Sequence, residues 1–196
     1  NLDEYVGLEP SHAQSYHFFM WDSFFSHIGI LRKNVHILDG QAKDVAKECQ
    51  TYEKAIQKAG GLDLTILGIG RDGHIAFNEP GSSLGSRTRI KTLDAVTMQD
   101  NARFFERVED VPRYALTMGI GSIMESRNII ILASGKNKAQ AVAEFIEGPV
   151  TAMVTASQLQ LHPKVTAVLD DEAASRMKRA DYYRQVENMW QDNLNV

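Results

Sequence analysis

Apolar residues recur along this chain in two distinct rhythms. Tyr16, Phe19, Met20, Phe24 and His27 follow helical spacing and predict a helix over residues 11–28. Ser11 is placed to cap it, with Gln14 three residues on at capping-box spacing. Val45, Cys49, Tyr52 and Ile56 form the stripe of a second helix over residues 41–59, stopped by Gly60-Gly61. Short apolar runs rich in β-branched residues predict strands at 62–67, 114–118, 128–133 and 165–169. Residues 136–147 read as a further helix, and residues 171–188 as a polar closing helix. Strands alternating with helices predict one α/β domain over residues 1–196, with a mostly parallel sheet covered on both faces. No internal repeat, low-complexity segment or linker interrupts the pattern.

Composition narrows the function classes. The 21 Lys and Arg against 25 Asp and Glu leave a formal charge of −4, which argues against a broad basic face for nucleic acid. With 43% hydrophobic and 23% charged residues the chain has the make-up of a globular protein. No apolar run approaches the roughly 20 residues of a membrane span, and the opening Asn1-Leu2-Asp3-Glu4-Tyr5 does not read as a signal peptide. Cys49 is the single cysteine, which excludes an internal disulfide framework and disfavours a cysteine-based zinc site. Its place in a helical stripe predicts a buried thiol without catalytic work. A soluble protein in a reducing, cytoplasmic compartment is the expectation.

Ligands of parallel α/β sheets bind beyond the carboxyl ends of the strands, so the loop after residues 62–67 draws attention first. Gly68, Gly70 and Gly73 match the spacing of a dinucleotide-binding turn, and Asp94 follows about 20 residues later, which raises a nucleotide-dependent oxidoreductase as one reading. Against it, Asp72 would repel a pyrophosphate, and Pro80 interrupts any long helix opening at Gly73. Asp72, His74 and Glu79 fall within eight residues. A histidine between two carboxylates is oriented by them and biased toward its charged form, which suits a proton shuttle near neutral pH. A plain Asp-Gly turn carrying a surface histidine is the other reading of the same spacing.

The stretch Gly-Arg-Asp-Gly-His-Ile-Ala-Phe-Asn-Glu-Pro-Gly-Ser-Ser-Leu at 70–84 resembles the signature of glucosamine-6-phosphate deaminases. The resemblance continues through Asp3-Glu4-Tyr5-Val6-Gly7-Leu8, Ser86 to Leu93, Asn101-Ala102-Arg103-Phe104-Phe105, and Ser157 to Pro163. It implies a three-layer Rossmann-like sandwich with a mostly parallel sheet, and conversion of glucosamine 6-phosphate and water to fructose 6-phosphate and ammonia without cofactor or metal. Sugar-lactonase relatives share the glycine-rich Asp-Gly-His loop but typically lack the Phe-Asn-Glu-Pro found here at residues 77–80.

Carried over position by position, the resemblance implies that Asp3 is the base for the C2 proton and His74 moves a proton in ring opening. Asp72 and Glu79 then orient His74, and Arg103 and Lys138 bind the substrate phosphate, with Lys136 a neighbouring competitor. An arginine fork and a lysine point charge both suit phosphate. Ser82, Arg89, Lys91 and Thr92 match the site where some members bind the activator N-acetylglucosamine 6-phosphate at a subunit interface, joined there by a tyrosine that Tyr182 or Tyr183 could supply. A homo-oligomer accompanies that regulated form, whereas other members are monomeric and unregulated. Two further readings use the same scaffold: a sugar-phosphate sensor, which needs the cations but not Asp3, Asp72, His74 and Glu79, and a 6-phosphogluconolactonase-like hydrolase. Family members also carry a stretch before the Asp-Glu-Tyr motif, so the resemblance leads us to expect that residues 1–196 hold most of the catalytic groups yet are inactive in isolation.

Overall fold

In the computed structural model, which describes residues 1–194 and side chains through residue 190, the expected parallel pairing joins β2 (Thr65–Leu67), β5 (Ile129–Ala133) and β6 (Val165–Leu169) in the order β2-β5-β6. Thr65 lies opposite Ile129, and Ile129 opposite Val165. The strand at Tyr114–Thr117, here β4, does not join this sheet. It pairs antiparallel with β1 (Asp3–Tyr5) on one side and β3 (Arg89–Thr92) on the other. Asp3 and Arg89 both stand in register with Thr117. Neither β1 nor β3 is anticipated from the sequence. Each is only three or four residues long and largely polar, so the apolar alternation that marks a strand is absent.

The helices form where apolar spacing places them, but their ends are set by polar caps. The first, α1 (Tyr16–Ser23), starts at Ser15 and not at Ser11, because the Ser15 hydroxyl accepts from the Phe18 N–H while residues 11–14 form turns. Asp44 similarly opens α2 (Val45–Lys58) by accepting from the Lys47 N–H. Two short helices, α3 (Ala95–Asn101) and α4 (Ile120–Met124), follow β3 and β4. A 3-10 turn at Lys136–Lys138 leads into α5 (Ala139–Glu147). The expected closing helix is broken into α6 (Asp171–Ala174) and α7 (Ala180–Leu194). Asp170 caps α6, and the Glu147 carboxylate takes the Lys178 and Arg179 N–H groups, so the chain turns before α7 begins.

The main core lies against one face of the parallel sheet. Leu67, Ile129, Ile131, Val142, Phe145 and Leu159 are among its buried members, and Cys49 is buried there too. The opposite face, for which the pattern predicts cover, leaves Ile66, Leu132 and Val168 about half exposed. A smaller cluster of Tyr5, Phe77, Leu93 and Ala115 packs beside the antiparallel sheet. No helix among the described residues is long and apolar enough to cross a membrane.

Candidate active site

The loop from Gly68 to Pro80 leaves the carboxyl end of β2 and carries the acid–base groups. No helix opens after Gly73, where positive φ is adopted and a Cβ would press on Val154. The glycine spacing thus serves a tight loop and not a helix-borne pyrophosphate. Gly70 is needed for a second reason. A Cβ there would overlap Nδ1 and Cε1 of His74. Ala76 adopts left-handed backbone (φ 52°), a costly conformation for a residue with a Cβ. Buried Asn78 holds the loop by donating to the Ile75 and Met118 carbonyls, while Thr155 donates to the Asn78 carbonyl and receives the Ile75 N–H.

His74 Nδ1 lies 2.7 Å from Asp72 Oδ1 and 3.5 Å from Glu79 Oε2. Both carboxylates take the same ring edge, which favours the tautomer protonated at Nδ1 and leaves Nε2 for moving a proton. Burial pulls the His74 pKa down, but hydrogen bonding to Asp72 and the charges of Asp72 and Glu79 outweigh it, and the net shift is upward. For Asp72, burial is the largest influence and acts upward, yet His74 holds its carboxyl below the ordinary value. Glu79 is almost wholly buried and also accepts the Asp94 N–H at 3.3 Å. Asp72, His74 and Glu79 have ligand atoms close enough to surround a cation, but the two carboxylates converge on the imidazole itself.

Asp3, the third carboxylate, reaches the same cavity from β1. The cavity has a volume of about 480 Å³ and is lined by Asp3, His74, Arg103 and Lys138 among others. Removal from water pushes the Asp3 carboxyl up to about 6, against the opposing effect of a hydrogen bond from the Thr117 hydroxyl. Neighbouring Glu4 is buried and plays a different part. Its carboxylate takes the N–H groups of Tyr16 and His17 at the start of α1, which sets the Tyr16 ring against Tyr5 and beside the cavity.

Arg71, Arg103 and Lys138 bring positive charge to the cavity, Arg71 paired with Asp100 at 2.9 Å. Arg103 is exposed, with its guanidinium 4.6 Å from the centre of the Phe104 ring. Lys138 Nζ donates to the Ile69 carbonyl at 2.7 Å. Burial lowers the Lys138 pKa most; Asp100 and Asp72 act upward, and the cations Arg103 and Arg71 add to the lowering. Arg103 and Lys138, the two cations there not held in an ion pair among the described residues, suit a phosphate. Lys136 is exposed, its backbone N–H goes to Glu172, and it does not line the cavity. Arg71, Tyr16, Thr97, Asn101 and Asn137 line the cavity without having been assigned a site role from the sequence. Arg71 alone lay inside the recognised loop.

The remaining expected residues lie apart from the cavity wall. Ser82 is buried in the loop before β3, while Arg89, Lys91 and Thr92 belong to β3 itself. Arg89 Nη1 donates to Asn78 Oδ1 at 2.9 Å, tying β3 to the loop that carries His74. Tyr182 and Tyr183 both sit on α7, their rings 5.7 Å apart, with Arg179 over Tyr182.

Comparison with known proteins bears on this geometry. A glucosamine-6-phosphate deaminase from Arthrobacter sp. (strain FB24) is 57% identical over 183 residues, spanning 93% of this chain and 70% of the relative. The solved structure of a monomeric glucosamine-6-phosphate deaminase superposes with a TM-score of 0.88 at 48% identity, covering 90% of this chain and 73% of that one. A 6-phosphogluconolactonase from Trypanosoma cruzi shares the fold, with a TM-score of 0.69 and 23% identity over 90% of this chain and 70% of that one. The model of the glucosamine-6-phosphate isomerases/6-phosphogluconolactonase family matches residues 3–168. The chain belongs to that family.

Proposed function

We propose that this chain is an enzyme that converts glucosamine 6-phosphate and water to fructose 6-phosphate and ammonia, a step of amino-sugar catabolism. The observation that carries the reading is the meeting of Asp3, the His74 group and the cations Arg103 and Lys138 at one cavity. Asp3 approaches from β1, the His74 group from the loop after β2, and Arg103 and Lys138 line the same cavity, Lys138 held to that loop through the Ile69 carbonyl. His74 serves ring opening, exchanging a proton between the anomeric hydroxyl and the ring oxygen through Nε2. Asp3 removes the C2 proton and returns it at C1, and hydrolysis of the resulting C2–N double bond releases ammonia. An aspartate near 6 is mostly ionised at neutral pH yet basic enough to take a proton. Arg103 and Lys138 hold the phosphate and so place C1 and C2 against Asp3. A sensor would not need the buried acid–base set, and the lactonase reading is matched only at 23% identity and below among the structures compared.

Activation by N-acetylglucosamine 6-phosphate at Ser82, Arg89, Lys91 and Thr92 extends the reading. Its support is that Ser82 Oγ and Arg89 Nη2 are buried without a hydrogen-bond partner. The test is ammonia release from glucosamine 6-phosphate, measured for this chain and for a version extended at its N-terminus. Release is expected from the extended version and little from residues 1–196 alone, with N-acetylglucosamine 6-phosphate lowering the half-saturating substrate concentration. Absence of release from both proteins sinks the deaminase reading, and an unchanged saturation curve sinks activation alone.

A further inference from the structure

We infer that Thr117 is a positioning residue for the base, its hydroxyl choosing which Asp3 oxygen takes the C2 proton and binding that choice to the loop of His74. The inference rests on the deaminase reading above. Thr117 is fully buried on β4, between Asp3 of β1 and Arg89 of β3. Its Oγ1 receives the Phe77 N–H at 3.0 Å and donates to Asp3 Oδ1.

The direction of this chain of hydrogen bonds follows from valence. An amide N–H can only donate, so the hydroxyl oxygen must accept from Phe77. The single hydroxyl proton is then free for one acceptor. The Met118 carbonyl, at 3.5 Å, lies at the limit of hydrogen bonding, so the proton goes to Asp3. Oδ1 is therefore engaged by the hydroxyl, the adjacent Phe77 N–H also favours the ionised carboxylate, and Oδ2 remains as the basic atom. In the step so placed, the C2–H bond breaks and its proton passes to Oδ2. The bonding pair forms a C1–C2 double bond, and the carbonyl π pair moves onto O1, whose charge is neutralised by the proton set free when water adds to the later C2–N double bond and ammonia departs. The proton then leaves Oδ2 for C1, taken up by the C1–C2 double-bond pair, while the nitrogen lone pair forms the C2–N double bond. Asp3 ends as the carboxylate it began as.

The same contact spans two machines. Phe77 lies three residues after His74, in the loop that Ala76 bends through left-handed backbone. One hydroxyl thus fixes the spacing between the ring-opening group and the base. A substrate that must be opened by one and deprotonated by the other needs that spacing held. The charged groups facing Asp3 are His74 and the Asn1 amine, with the neutral phenols of Tyr5, Tyr16 and Tyr52 nearby. A change at Thr117 leaves all of them in place.

The test compares wild type with T117V, which removes the hydroxyl at nearly equal volume, and T117S, which keeps it. Ammonia release is followed against pH, with ordinary substrate and with substrate deuterated at C2. For T117V we expect kcat to fall roughly 10- to 100-fold, with KM little changed. The acidic limb of the profile should move to higher pH, because Asp3 loses a donor that favours its ionised form, and the C2 isotope effect should grow. T117S should recover most of each property. Should T117V fail to fold, T117A carries the same expectations. Wild-type kcat in the hydroxyl-free variant overturns the inference. So does a fall in kcat that leaves the acidic limb and the isotope effect untouched, or a T117S as impaired as T117V. The comparison is made in whichever of this chain and its N-terminally extended version releases ammonia; wild type inactive in both forms overturns the deaminase reading as well, whereas an active wild type with an indifferent Thr117 overturns only this inference.

Discussion

The Asp3 carboxyl titrates near 6 in the folded chain because burial disfavours its charge, against an ordinary value of 3.8. Between those two values the folded state binds more protons than the unfolded one, so stability falls as pH rises through that window and stays lowered above it. His74 has the same pH dependence for a different reason. Its pKa is raised by Asp72 and Glu79 in spite of burial, so its contribution is complete below the ordinary 6.5 and is lost as pH climbs through the folded value. Replacing Asp3 with Asn keeps an oxygen for Thr117 and removes the buried charge. D3N should therefore gain about 1–3 kcal/mol near pH 8 in urea unfolding, with the gain fading toward about pH 4. It should also lose at least roughly 100-fold in kcat/KM. An equal stability difference at both pH values would show that Asp3 is not strained by ionisation. Very little of this could be read from the residue itself. Asp3 beside Glu4 looks like a solvated acidic end until a resemblance assigns it a role, and Thr117 looks like an ordinary β-branched strand residue. Pairing across the sheet, which local pattern does not encode, is what gives both their meaning.

The loop after β2 is the element whose chemistry was most visible beforehand. Asp72, His74 and Glu79 were marked by their density, and their side chains do converge on one ring nitrogen. Two features of the loop were hidden. Asn78 acts as a buried strut, and Gly70 makes room for the imidazole. Gly70 does not need unusual backbone, so substitution there is a purely steric probe. G70A should displace the His74 ring and reduce kcat by roughly 100-fold, while the urea midpoint stays close to wild type. A large loss of stability with unaltered specific activity in the folded fraction would contradict that account. Helices were foreseen as stripes but misjudged at their ends, since Ser15, Asp44 and Asp170 compete with other polar residues for the cap and only the folded backbone decides among them. The single helix expected over residues 171–188 breaks because Glu147, distant in sequence, captures two N–H groups between Ser175 and α7.

Across the molecule, the parallel arrangement of β2, β5 and β6 followed from alternating strand and helix patterns, whereas the antiparallel sheet did not, because two of its three strands are short and polar. The two sheets have different assembly requirements. Helices and the β5–β6 neighbourhood form over modest separations in sequence. The pairing of β1 with β4 joins Asp3 to Thr117 across 114 residues. Closing so long a loop sacrifices chain entropy before any contact rewards it. Catalytic competence should accordingly be among the last properties regained on refolding. After dilution from urea, far-ultraviolet circular dichroism should recover ahead of ammonia release, with His74 and its carboxylates assembled before the base arrives. Simultaneous recovery of both signals would mean that β1 docks with the first collapse, and that the strand bearing the base helps to nucleate the fold it completes.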